Sequence, residues 1–121
     1  MKSASPFLPD AAATLEITPE AVARWAHLPP GERPRLIDCR ERDELDVCQI
    51  KGNEWHPLGT FPEADHLLES GGRGVVVYCH HGMRSLRGAS FLRSRGVEKA
   101  FSMKGGIDAW SKLIDPAVPR Y

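Results

Sequence analysis

An α/β fold, with a parallel sheet of about five strands and helices on both faces, is what this sequence predicts. Short apolar runs alternate with segments of helical periodicity along most of the chain. One run, Val75-Val76-Val77-Tyr78, lacks any polar alternation, as expected of a strand covered on both faces. The connections are short and marked by proline or glycine, as in Pro29-Pro30-Gly31 and Gly105-Gly106.

Residues 1–14 carry no periodicity and read as an extended lead-in. Leu15-Glu16-Ile17 alternates and predicts a short first strand. Thr18-Pro19-Glu20 combines a capping hydroxyl, a proline at the first helical position and an acid in the first turn. Val22, Trp25 and Ala26 then form one apolar face. Arg35 to Arg40 reads as a buried strand that turns polar at its end, and Glu41 to Val47 as a short charged helix. Asn53 to Leu58 is a weak strand interrupted by Pro57. Thr60 and Glu63 have capping-box spacing, so Ala64, Leu67 and Leu68 predict a helix that Ser70-Gly71-Gly72 ends. After the strand Gly74–Tyr78, a helix is expected from Ser85 to Arg95, with Leu86, Ala89 and Leu92 inward and Gly96 as its stop. Ala100 to Met103 is a strand. Ile107, Trp110 and Ile114 define a last helix, and residues 116–121 an extended tail outside a domain spanning 15–115.

The chain has 121 residues, enough for one domain with its own core. Sixteen basic residues balance sixteen acidic ones, and no basic run suggests nucleic acid or an anionic membrane. No apolar run approaches the roughly 18 residues that span a bilayer, and residues 1–14 lack a secretory pattern. A cytoplasmic monomer is the expectation. Three cysteines, Cys39, Cys48 and Cys79, without a Cys-x-x-Cys pair, suggest neither a disulfide framework nor a metal centre.

In sheets of this class ligands gather at the C-terminal strand edge. There the sequence places Asp38, Arg40 and the run Cys79-His80-His81-Gly82-Met83-Arg84-Ser85. A cysteine at the junction of strand and helix meets backbone N–H groups and the positive end of a helix dipole, both of which favour a thiolate. Cys79 is therefore the candidate nucleophile. Redox proteins with such a loop place a second cysteine two residues on, which is absent here. Cysteine phosphatases place an arginine after five intervening residues, where this chain has Ser85; only four separate Cys79 from Arg84. The shorter loop makes a cradle better suited to one sulfur atom than to a phosphate.

This loop resembles the Cys-x-x-Gly-x-Arg-Ser/Thr active loop of rhodanese-type sulfurtransferases. Asp38, Arg40 and Glu44 resemble that family's Asp-x-Arg-x-x-x-Glu segment, and Gly105-Gly106-Ile107-Asp108-Ala109-Trp110 its Gly-Gly-x-x-x-Trp motif. Gln49-Ile50-Lys51-Gly52-Asn53 departs from the family's usual His-Ile-Pro-Gly-Ala. The resemblance implies a three-layer rhodanese-like fold. It implies transfer of a sulfane sulfur from a donor such as thiosulfate through a persulfide on Cys79, to a thiol or to cyanide. No cofactor beyond that covalent intermediate is implied, and a protein sulfur carrier is a further partner consistent with it. Arg84 is the expected handle for an anionic donor, with His80, His81, Gly82, Met83 and Ser85 lining the loop; Gly82 is where a positive φ or a close backbone approach is expected. Asp38 and Arg40 read as a structural ion pair bracing the loop. Cys39 and Cys48 read as packing thiols, with a resolving role as the alternative for Cys39. His27, His56 and His66 read as surface histidines, and Trp25 and Trp110 as core. A phosphatase or arsenate reductase on the same fold, or a non-catalytic regulatory module, are the competing functions.

Overall fold

The computed structural model describes residues 9–69 and 73–121. Its centre is β4 (Val75–Tyr78), whose four residues are all buried. β4 pairs in parallel with β2 (Arg35–Asp38) on one side and β5 (Ala100–Met103) on the other. β3 (Glu54–Trp55) extends the sheet beyond β2, and β1 (Glu16–Ile17) beyond β5. The order is β1-β5-β4-β2-β3, all parallel, as the alternating pattern predicts.

Parallel neighbours need crossovers, and these cover both faces. The helices are α1 (Pro19–Ala26), α2 (Arg42–Val47), α3 (Met83–Ser94) and α4 (Gly106–Leu113). Thr18 caps α1, its hydroxyl accepting from Ala21 N at 3.2 Å. Alternation through β4 divides the core in two. Val75 and Val77 join Ile37, Phe61, Ala89 and Leu92 in one layer, and Val76 and Tyr78 join Val22, Trp25, Phe101 and Ile107 in the other. Cys79 is in phase with Val75 and Val77, so its side chain belongs to the first layer. Gly88 lets α3 approach closely: a Cβ there would lie 2.9 Å from the Phe61 ring.

Three expectations are corrected. The helix read from Thr60 onward is a pair of 3₁₀ turns, Leu58–Glu63 and Asp65–Leu68. Pro57 starts the first turn and Pro62 lies inside it, removing a helical N–H. The Thr60 hydroxyl donates to Pro57 O at 2.7 Å instead of capping a helix. The expected stop at Ser70-Gly71-Gly72 lies outside the described residues. The strand expected over Asn53–Leu58 shrinks to Glu54–Trp55, ahead of Pro57. The tail is not simply extended: it turns at residues 116–118 and returns to the sheet edge.

Gly74 leads into β4 directly under the Trp25 ring, where an added Cβ would collide with the ring carbons. Trp25 is 2% exposed and tied by its Nε1–H to Glu32 O at 2.9 Å, so it has little freedom to yield. Gly74→Ala is expected to lower unfolding free energy by about 1–3 kcal/mol, the usual cost of overpacking. Urea denaturation followed by tryptophan fluorescence measures it.

Candidate active site

β4 ends at Tyr78 and α3 begins at Met83, so residues 79–82 must turn the chain through a very short path. Gly82 makes the turn with φ of +106°, in a region costly for a residue with a side chain. The turn aims backbone donors inward. Gly82 N donates to Cys79 Sγ at 3.1 Å and Ser85 N at 3.4 Å. Ser85 Oγ stands 3.5 Å from the same sulfur and 2.7 Å from Ser102 Oγ on β5. Cys79 is 1% exposed, so these groups replace water around it.

The outer side of the loop is held by α4. Ile107 N donates to Cys79 O at 2.8 Å, and Asp108 N to His80 O at 3.2 Å. Gly106, at φ +63°, lies so close that a Cβ would strike those same carbonyls. The Gly105-Gly106 turn thus lets the first turn of α4 receive the loop's carbonyls, leaving its N–H groups to face the sulfur.

β2 contributes the neighbouring wall. Asp38 and Arg40 are both fully buried and doubly bonded, at 2.9 Å through Arg40 Nε and 2.7 Å through Nη2. Arg40 Nη2 also donates to Cys48 O at 2.6 Å. The ion pair itself is as expected, and its further side-chain bonds run to Glu44 O, Cys48 and Tyr121 rather than to the cysteine loop. Glu44 on α2 grips Arg84 with both oxygens, at 2.6 and 2.8 Å. The Arg84 guanidinium holds the Glu44 carboxyl down at about 2.

Cys39 continues β2 one residue past Asp38, its N–H on Tyr78 O at 3.0 Å. Since Asp38 registers with Tyr78, Cys39 comes beside Cys79, in the same core layer. The closeness of the two thiols pushes Cys39 upward, and burial adds to this, so it stays protonated. It is also the largest influence lowering Cys79; burial opposes it, and Ser85 and Gly82 add to it, leaving Cys79 at about 4 against an ordinary 9.0. At neutral pH the site therefore holds a shielded thiolate, able to attack a small electrophile that fits the loop.

The sequence model of the rhodanese-like domain matches residues 22–113. The chain belongs to the rhodanese-like domain family. It is 31% identical over 106 residues to the thiosulfate sulfurtransferase GlpE of Haemophilus influenzae, covering 88% of this chain and 96% of that one. It is 32% identical over 94 residues to the chloroplastic rhodanese-like/PpiC domain-containing protein 12 of Arabidopsis thaliana, covering 74% of this chain but only 31% of that one. It likewise spans 26% of a probable adenylyltransferase/sulfurtransferase MoeZ of Mycobacterium tuberculosis. Among solved structures, the human single-domain sulfurtransferase TSTD1 superposes with a TM-score of 0.67 at 25% identity, over 83% of this chain and 97% of that one.

Within this rhodanese-like domain the structure brings Cys79, Gly82, Ser85, Asp38 and Arg40 together as the sequence suggests. Arg84 reaches the rim, but its fork is occupied by Glu44. His80 is partly buried, and His81 is exposed, 3.9 Å from Asp108. Met83 is 75% exposed and touches none of the sulfur's donors. Sequence reasoning missed Ser102, whose hydroxyl backs Ser85 from β5, and the nearness of Cys39 to Cys79, readable only once β2 and β4 are known to pair in this register. It also missed Tyr121. The Tyr121 hydroxyl accepts from Arg40 Nη1 and donates to Glu44 Oε2, each at 2.8 Å.

Because folding lowers the Cys79 pKa, its contribution to stability is complete above 9.0 and is lost as the pH falls toward about 4. Labelling by iodoacetamide should rise with a midpoint near that lower value and be flat through neutral pH. Cys39→Ala should move the midpoint up by about one pH unit or more, while Cys39→Ser, which keeps a donor, stays nearer wild type. A wild-type midpoint in the ordinary thiol range contradicts this account.

Proposed function

We propose that this protein is a sulfurtransferase that carries sulfane sulfur as a persulfide on Cys79. The observation that carries the reading is the convergence of Gly82 N–H, Ser85 N–H and the Ser85 hydroxyl on one sulfur, within a loop sized for a single atom. The similarity to sulfurtransferases along nearly their whole length supports it.

The reaction follows from the thiolate. Cys79 Sγ attacks the outer sulfur of thiosulfate; the S–S bond of the donor breaks and its electron pair leaves with sulfite. The charge moves to the terminal persulfide sulfur, where the loop donors hold it in turn. An acceptor, cyanide or a thiolate, then takes that sulfur and returns the electron pair to Cys79. Because the donors serve the thiolate and the persulfide alike, little has to reorganise between the two steps. Arg84, held by Glu44, flanks the approach and orients the rim. Physiological partners consistent with this chemistry are a small sulfane donor and a thiol or protein sulfur carrier. Among the described residues, no helix is long and apolar enough to cross a membrane, and no cluster of His, Cys, Asp and Glu could hold a metal.

Mass spectrometry after exposure to thiosulfate provides the test. The Cys79 peptide should gain one sulfur atom, lose it to cyanide with release of thiocyanate, and gain none in Cys79→Ser. Absence of sulfur on wild-type Cys79 with every sulfane donor tried, or hydrolysis of a phosphomonoester lost in Cys79→Ser, overturns the proposal.

A further inference from the structure

The segment after α4 does not leave the molecule. Ser111 Oγ donates to Val118 O, and Arg120 Nε donates to Asp108 Oδ1 at 2.9 Å, so α4 holds the tail at two points. Beyond them Tyr121 reaches the active-site rim. Its ring stacks on His80 with centroids 3.8 Å apart and planes 5° from parallel, and its carbonyl lies 2.8 Å from His80 Nε2. His81 covers the opposite side of His80, at 3.9 Å between centroids. The first residue after the nucleophile is thus packed between two rings. The Tyr121 hydroxyl, at the other end, bridges Arg40 of the buried brace and Glu44 of the rim. Through Glu44 the chain of bonds runs on to Arg84. One side chain joins α2, the residue that follows the end of β2, and the cysteine loop. The ring is 40% exposed, so it does little for the core. Its polar bonds end on Arg40, Glu44 and His80.

We propose that Tyr121 is a positioning residue for sulfur transfer, a latch that fixes His80 and the Glu44–Arg84 pair around the atom Cys79 carries. The inference rests on the sulfurtransferase reading. The two ends of the side chain have separable tasks. The ring and carbonyl keep the loop closed over Cys79, which is 1% exposed. The hydroxyl seats Glu44, and thereby Arg84, where the donor arrives.

Two variants separate these tasks. Tyr121→Phe keeps the stack and loses the bridge; KM for thiosulfate should rise about three- to tenfold with kcat nearly kept. Tyr121→Leu loses both; kcat/KM should fall about tenfold or more. In the same variant, iodoacetamide at neutral pH should label Cys79 about three- to tenfold faster, because access limits a buried thiolate. Peptide mapping is decisive, since Cys39, beside Cys79 but held protonated, and Cys48 are buried and should stay unlabelled. Wild-type kinetics and labelling in both variants overturn the latch. So does labelling of Cys39 and Cys48 in step with Cys79, which would mean a general loss of structure. Should wild-type Cys79 take up no sulfur, the functional reading fails by itself, and the Cys79 labelling rate still decides whether Tyr121 holds the loop.

Discussion

A thiolate that water barely reaches must be solvated by protein. At Cys79 this solvation comes from two backbone N–H groups and a serine hydroxyl, belonging to the loop and α3, with the Cys39 thiol beside them. Burial alone would raise the pKa of such a group and leave it inert. The donors reverse that direction, but only while they are aimed, since a hydrogen bond weakens steeply as its angle opens. Most of the surrounding architecture serves this aim. Gly82 supplies the left-handed turn, Ser102 backs the Ser85 hydroxyl, and the N-terminus of α4 holds the carbonyls of Cys79 and His80 on the outer side. Peptide groups whose oxygens are tied outward have their loop conformation fixed, so the N–H groups do not turn away from the sulfur.

The same constraint explains the buried ion pair. A fully buried arginine with no partner would be intolerable, and Arg40 satisfies its guanidinium with Asp38, Cys48 O and the Tyr121 hydroxyl. Its bonds join the end of β2 to the segment after α2. Because Cys39 lies between Asp38 and Arg40, fixing this pair also fixes the thiol beside Cys79. A pair that takes no part in the chemistry still fixes the backbone that carries the thiol beside the nucleophile.

Sheet type, the central place of β4 and the position of Cys79 at a strand-to-helix turn were legible because they rest on local signals: an unbroken apolar run, punctuated helices, and a cysteine at the end of that run. The positive φ at Gly82 was legible for the same reason. What failed depended on competition or distance. Thr60 and Glu63 have the spacing of a capping box, but Pro57 and Pro62 impose 3₁₀ geometry, and spacing does not weigh one against the other. Cys39 reads as packing because its neighbour is forty residues away in sequence and becomes adjacent only through the register of β2 on β4. Tyr121 follows a proline-punctuated tail without periodicity, so nothing local marks its return to the site. Arg84 was placed at the rim by spacing, yet its occupancy by Glu44 depends on where α2 packs.

The charge pattern of the rim bears on what the site handles well. Among the described residues, two guanidinium groups near the loop face carboxylates, Arg40 with Asp38 and Arg84 with Glu44. Long-range attraction for an anion is therefore small, and the chain as a whole carries no net charge. What remains is the short-range, directional pull of the loop N–H groups, which acts on an atom seated at the centre and fades within a bond length or two. A rim of unpaired arginines would bind an oxyanion more tightly but would also retain the oxyanion left after its sulfur is taken. A neutral rim around a dipolar cradle favours the transferred atom over the group that brings it. In the proposed reaction that balance suits a site whose first product must leave before the second substrate can reach the same sulfur.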